Sequence, residues 1–352
     1  MQAWYCTREA VLASFEVAES TRIAPLVDRE ILASSERVDH QLHRKFTVEF
    51  ITLKFDWPNN SYAPVWRLYL NERSILSVQR IVSGGVELNP ADYFLYRADG
   101  EQEPPFDYIE INRDSSAAFT SGTSPQRAIE IEALAGYVAT TSVTGSLSTT
   151  INDTTDTLIV EPTNNRGGTG TGSALIIGDE RMHVLERGYV DSGTVLLKDL
   201  ESRNADSTIE LADTSAITMY DFIVIDGEYM LVQAIVGSNL IVRRALNGSV
   251  LAPHSAGYPI YVPNSYRVIR GAYGTTAASH TAGATVNVQR YPAQIEQLAL
   301  AESVVSVAQN AGLYARVVGQ GGSTREAVGK GLDDMRRSAY ESYGRKLRKT
   351  AI

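Results

Sequence analysis

His254 and His280 are the side chains best suited by type to move protons near neutral pH, and they occupy matched positions of a repeat. The first copy runs Arg244, Gly248, His254, Gly257, Val262, and the second runs Arg270, Gly274, His280, Gly283, Val288, 26 residues later. A reaction centre needs one base, not two at equivalent sites of a duplicated module. A turn-stabilising hydrogen bond from each imidazole to backbone is therefore the expected role. Asp226 with Glu228, and Asp179 with Glu180, have the spacing of paired carboxylates for acid–base work. Each pair sits beside a glycine at a turn into a strand, which favours turn chemistry instead.

Other candidates are weaker. His40 and His43 are three apart on a helical face, a spacing that can ligate a metal, but no third ligand is evident and a solvated or capping role is expected. Gly167-Gly168-Thr169-Gly170-Thr171-Gly172 lacks the following Lys-Ser/Thr and the βαβ context of a phosphate loop. No Gly-x-Ser-x-Gly, His-Glu-x-x-His or Cys-x-x-Cys occurs. No catalytic residue, metal site or cofactor is expected.

The elements that must position these residues follow from periodicity. Thr7 is a plausible N-cap for a helix over Arg8 to Ala18, and Pro25 suits the first turn of a second. Val27, Ile31, Ser34, Val38 and Leu42 recur at three to four residues, one stripe of a helix from about Pro25 to Arg44. The pattern changes to period two at Phe46–Phe55, the mark of a strand. Further strands are expected at Trp66–Leu70, Ile75–Ile81, Tyr93–Tyr96, Tyr108–Ile111 and Ala128–Glu132, with a hairpin turn at Gly84-Gly85. Pro292 opens a helix, and Leu332, Met335, Ala339, Tyr343 and Leu347 mark a last one.

Between these frames the chain echoes itself. Ile176-Ile177-Gly178-Asp179-Glu180-Arg181-Met182 resembles Val224-Ile225-Asp226-Gly227-Glu228-Tyr229-Met230, both placing Glu-x-Met at a turn into a strand. The order of the copies is an opening, a complete second copy and a closing piece, which a nested duplication explains. The expected fold class is α+β, with a helical N-terminal hairpin and C-terminal helices framing β-sheet regions and a nested pair of small β modules inserted. The expected division is a core of residues 1–138 and 290–352, a Thr/Ser-rich linker at 139–157, an outer β module of 158–198 and 264–289, and a nested second module at 199–263.

Composition limits the function classes. With 352 residues and 43% apolar content the chain can bury sizeable cores. It has no apolar run long enough for a transmembrane helix and no signal-peptide pattern at its start, so no membrane partner is expected. Cys6 is the single cysteine, which excludes an internal disulfide and suits synthesis in a reducing cytoplasm. The net charge is -9; the last 17 residues carry six bases (Arg336, Arg337, Arg345, Lys346, Arg348, Lys349) against Glu341, a +5 tail on a -14 body. An acidic body argues against wrapping DNA but suits a surface along which DNA slides.

The order of parts resembles the head-to-tail connector (adaptor) proteins of long-tailed double-stranded DNA bacteriophages. The resemblance is carried by the N-terminal helix pair ending Ala33-Ser34-Ser35-Glu36-Arg37-Val38-Asp39 and by Phe55-Asp56-Trp57-Pro58. It is carried further by Trp66-Arg67-Leu68-Tyr69-Leu70, Pro104-Pro105-Phe106-Asp107-Tyr108, Ala135-Gly136-Tyr137 and the turn Arg270-Gly271-Ala272-Tyr273-Gly274, familiar from actinobacterial-phage versions. The nested second module is a departure from compact members. The resemblance implies a ring, commonly of twelve copies, in the virion neck under the portal protein. That ring extends the channel for genomic DNA, without sequence-specific binding, and meets the next neck, stopper or tail protein. It implies that the C-terminal tail reaches the portal, and that helix faces such as Val27, Ile31, Val38 and Leu42 pack copy against copy. Other phage neck or tail rings, stopper or baseplate, and a β-rich receptor- or glycan-binding virion protein are the alternatives.

Overall fold

The computed structural model describes residues 3–15, 24–57, 64–70, 73–137, 140–162, 169–203, 207–246, 249–310 and 322–344. Among the described residues four α-helices lie toward the ends of the sequence: α1 (Arg8–Phe15), α2 (Ala24–Leu42), α3 (Ala293–Asn310) and α4 (Gly322–Tyr343). The hydroxyl of Thr7 accepts the backbone N–H of Ala10 at 3.2 Å, the expected N-cap of α1. α2 ends where His43 turns to φ 49, a left-handed stop. Together the four helices enclose one core that contains Tyr5, Val11, Val27, Ile31, Val38, Leu42, Ile295, Leu298 and Ala339, so both ends of the described chain meet in a single helical body.

Strands β1 (Glu49–Phe55), β2 (Arg67–Tyr69), β3 (Ile75–Ser83), β4 (Val86–Glu87), β5 (Tyr93–Tyr96), β6 (Tyr108–Ile111) and β7 (Ile129–Ala135) come next. They form two antiparallel sheets, ordered β1-β7-β3-β4 and β2-β6-β5, that share a core of Leu68, Ile75, Ile81, Ile109, Ile129 and Ile131. Along β7 burial alternates residue by residue, as period-two patterning requires. Gly84 and Gly85 both have positive φ (58° and 87°) and close the two-residue turn between β3 and β4.

The remaining strands are β8 (Thr141–Leu147), β9 (Thr157–Pro162), β10 (Ala174–Ile177), β11 (Glu180–Val195), β12 (Thr208–Glu210), β13 (Phe222–Ile225), β14 (Glu228–Val236), β15 (Asn239–Leu246), β16 (Pro259–Ile269) and β17 (Thr285–Gln289). Their pairings close on themselves twice. An outer ring runs β8-β9-β16-β11-β10-β17 and back to β8. An inner ring runs β12-β15-β14-β13-β16-β11 and returns to β12 through the bridge Leu196↔Leu211. Two six-stranded barrels therefore share one long ribbon. In β11 and β16, His183–Gly188 pair with Ile269–Ser265 in the outer barrel, and Val190–Val195 pair with Val262–Pro259 in the inner one.

The barrel cores match position for position. Leu147, Leu158, Ile177, Met182, Val268 and Val288 fill the outer barrel, and Leu196, Ile209, Ile225, Met230, Val242 and Val262 take their places in the inner one. Each fully buried aliphatic side chain of this kind contributes roughly 1.5–3 kcal/mol. Closure also removes free sheet edges. Every α+β feature of the expected fold class is present, including helices framing sheets and the nested pair of modules.

Two expectations need correction. The stretch 139–157 is not a linker: Thr141–Leu147 is strand β8, and Ile151 bridges His280. Threonine and serine tolerate the pleated backbone, and Thr144 and Leu147 are buried. The stripe Val27, Ile31, Val38 and Leu42 is not an open face for another copy, because all four are 0% exposed within this chain's own helical core.

Candidate functional site

The repeat residues converge on two buried clusters, one per barrel. In the inner barrel Glu228 starts β14 with its carboxylate turned inward. Its Oε1 accepts Arg244 Nε at 3.0 Å and the Ala245 N–H at 3.1 Å. Its Oε2 accepts Arg244 Nη2 at 2.8 Å, the Ala252 N–H at 3.1 Å and His254 Nε2 at 2.8 Å. Arg244 also donates to the carbonyls of Ala252 and Glu201.

The outer barrel repeats this bond for bond. Glu180 Oε1 accepts Arg270 Nε at 2.8 Å and the Gly271 N–H at 2.9 Å. Its Oε2 accepts Arg270 Nη2 at 2.8 Å, the Ala278 N–H at 3.0 Å and His280 Nε2 at 2.8 Å. Arg270 donates to the carbonyls of Asn152, Thr155 and Ala278 at 2.6, 2.7 and 2.6 Å. The histidines thus bond to a carboxylate rather than to backbone, correcting the expected side-chain partner. Their own backbones do pair, His254 with Leu200 and His280 with Ile151.

Burial alone raises the pKa of each carboxyl. The facing guanidinium, two backbone N–H groups and the imidazole outweigh it, lowering Glu180 to about 2 and Glu228 below the usual carboxylate range. A carboxylate this saturated, and ionised this far below neutrality, is a poor proton carrier. The clusters act as cross-links: each ties a strand start (Glu), a strand end (Arg) and a returning loop (His) at one mouth of its barrel. Asp226 is exposed at the β13–β14 turn with φ 47, and Asp179 is exposed too, so neither pairs with its neighbouring glutamate.

The repeat glycines have different duties. Gly257 and Gly283 have φ of 91° and 80° with open space around them. Gly274, at φ 78, lies so close to β1 that an added Cβ would sit 2.1 Å from the Phe50 carbonyl oxygen. Beside it the Tyr273 carbonyl accepts the Phe50 N–H at 2.9 Å, and Tyr273 Oη lies 2.8 Å from His183 Nδ1. This loop joins the outer barrel to the first β body. Gly248 lies outside the described residues.

The glycine-rich loop binds an anion, and the anion is internal. The N–H of Thr171 donates to both Glu9 carboxylate oxygens at 2.9 and 3.1 Å, and its hydroxyl adds a bond of 3.0 Å. A Cβ on Gly170 would strike that carboxylate. Gly167 and Gly168 lie outside the described residues. The loop therefore docks α1 on the outer barrel. His40 and His43 are both exposed, and no group of three or more metal-ligating side chains occurs among the described residues.

Of the six tail bases, Arg345, Lys346, Arg348 and Lys349 lie outside the described residues. Arg336 faces its own chain: its Nε donates to Glu302 at 2.9 Å, while Arg37 Nε reaches the other oxygen of that buried carboxylate at 3.0 Å. This link between α2, α3 and α4 was not legible from sequence, because its partners are far apart in the chain. Arg337 lies 4.0 Å from Asp334 and is exposed.

A cleft of about 380 Å³ opens between α1 and the two barrels, lined by Arg8, Leu12, Arg187, Tyr189, Tyr220 and Phe222 among others. Its cations are engaged: Arg8 with Asp28 at 2.7 Å, and Arg187 with Asp221 at 3.0 Å and the Pro263 carbonyl at 2.9 Å. Cys6 is buried, and burial pushes its thiol up to about 12, so it is not a nucleophile. No helix among the described residues is long and apolar enough to cross a membrane. No family model matches the chain, and no curated protein or solved structure matches it significantly.

Proposed function

We propose that this chain is a structural virion protein, a head-to-tail adaptor that forms a ring under the portal, extends the DNA channel and joins the capsid to the next neck or tail protein. The observation that carries this reading is the architecture. One helical body gathers both ends of the described chain, and between them in sequence lie a β body and two barrels that share one ribbon. In this reading the helical body assembles the ring and the β regions offer a surface to the neighbouring protein. The order of sequence motifs resembling phage connectors supports the same reading. The saturated Glu–Arg–His clusters give no support to an enzyme, since the most conspicuous titratable groups are locked as cross-links.

In this reading the portal-binding role rests on the bases that follow Tyr343. Ala339 and Tyr343 pack into the helical core and Arg336 is held by Glu302, so these belong to the adaptor's own body. Arg345, Lys346, Arg348 and Lys349, with no acid among residues 345–352, form the portal-binding segment. Deleting 345–352 should abolish co-sedimentation with the portal while the melting curve stays unchanged. Undiminished portal binding would sink the assignment of the tail.

One observation favours a second reading, a glycan-binding virion protein. On the β2-β6-β5 sheet Phe94 is exposed 6.3 Å from Tyr96, which stacks at 5.3 Å on a buried Tyr108 that Arg67 covers at 4.9 Å. Absence of binding on a glycan array would remove it.

A further inference from the structure

The two barrels are an internal control for each other. Their cores match, so differences between their outer walls are not required by the fold. On the wall formed by β11, β16 and β13, the inner barrel carries Val195 opposite Pro259, Leu197 beyond it, and Tyr261 opposite Val224. The same ladder positions of the outer barrel are Ser146 opposite Thr285, Ser148 beyond it, and Asn287 opposite Ile176. Val195, Leu197 and Tyr261 are 37%, 46% and 38% exposed. Ser146, Ser148, Thr285 and Asn287 are polar where Val195, Leu197, Pro259 and Tyr261 are apolar, and only the Ile176/Val224 position is apolar in both copies.

The asymmetry extends beyond that wall. Among the described residues, nine of the exposed large apolar side chains fall between residues 195 and 261, against Val143 and Ile159 in the outer barrel. Charge differs as well. Residues 191–262 hold nine acids and four bases, a net of -5; residues 141–188 and 265–289 hold six acids and five bases, a net of -1. Asp191 lies opposite Tyr261, and Asp226 sits in the turn just past the end of β13, so exposed carboxylates rim the apolar wall.

We infer that the inner barrel's β11–β16–β13 wall is a docking surface for a different protein, one that presents apolar side chains flanked by lysine or arginine. An apolar patch with a polar rim is the usual anatomy of a protein interface. The acidic rim selects a basic partner and speeds its approach. It also disfavours a second copy docked wall to wall, since that brings Asp191 and Asp226 against like charges. The inference does not depend on the neck position proposed above.

The duplication supplies the test. Val195→Ser, Leu197→Ser, Pro259→Thr and Tyr261→Asn together give the inner wall the side chains the outer wall already tolerates, with the core untouched. A second variant, Asp191→Asn with Asp226→Asn, removes rim charge at two exposed sites without changing shape. The probes are synthetic peptides of alternating Leu and Lys, and of alternating Leu and Glu, titrated into the full chain and followed by NMR. The Leu/Lys peptide should shift the amide signals of Val195, Leu197 and Tyr261, and the Leu/Glu peptide should not. The wall swap should weaken binding about tenfold or more, and the rim variant about threefold. No binding of the Leu/Lys peptide, or equal binding by the swap, overturns the inference. A dimer of the full chain that the swap dissolves also overturns it, by assigning the wall to a second copy.

Discussion

Glu180 and Glu228 do for their barrels what a disulfide does for a small secreted domain: they tie together three segments distant in sequence. Removing the carboxylate leaves a buried guanidinium and imidazole unpaired. Glu228→Ala should therefore cost about 3–5 kcal/mol in urea unfolding. An effect under 1 kcal/mol would show that the cluster is not a cross-link. The acid limb gives an independent measure. Glu180 falls from an ordinary 4.5 to about 2 in the fold, so it contributes stability that is complete above the unfolded value and lost as pH drops toward 2. That stability amounts to about 3 kcal/mol. Stability against pH should be flatter in Glu180→Gln than in wild type between 4.5 and 2, with parallel curves above that window. Each member of the clusters stood out in the sequence, but separately, as carboxylate pairs and as repeat histidines. What linked them was that Glu180 with Glu228, Arg270 with Arg244 and His280 with His254 are equivalent positions of one duplication. Equivalence is visible in the sequence, whereas inward orientation and contact are not.

Elements show a similar division. The alternation in β1, β3 and β7 and the apolar stripe of α2 were legible because one face of each is buried and the period follows from geometry. β8 was missed because Thr141, Ser142 and Thr144 read as linker composition, although their strand contributes the buried Leu147. The partner of α2's stripe was also misread. Periodicity says that a face is covered, not whether the cover comes from the same chain. Barrel closure was out of reach, because it depends on pairings between distant strands. Two glycines test the element contacts. Gly274→Ala must both hold a left-handed φ and push the loop off Phe50, and should cost about 3 kcal/mol or more. Gly283→Ala meets nothing within 4 Å and should cost only the backbone term, roughly 1 kcal/mol. Thermal unfolding of the two variants side by side checks the order. Equal effects would mean that the loop does not dock on β1.

At the scale of the whole molecule, the proposed function assigns ring assembly to the helical body and a neighbour-facing surface to the paired barrels. The helical body is held by apolar packing and by Glu302, which receives both Arg37 and Arg336. Deleting 336–352 should therefore lower the melting temperature by several degrees, through loss of Ala339, Tyr343 and the Arg336 bond, whereas deleting 345–352 should not. If both truncations melt alike, the last turns of α4 are not part of the core. The proposed portal docking through four basic side chains predicts binding that weakens steeply with added salt. The measurement that bears most directly on the proposed function is electron microscopy of the purified chain mixed with a portal protein encoded in the same genome. The account predicts a ring of this chain stacked on the portal, helical bodies against it and barrels pointing away. A chain that stays monomeric beside intact portals, or rings that stack with the barrels on the portal, would contradict it.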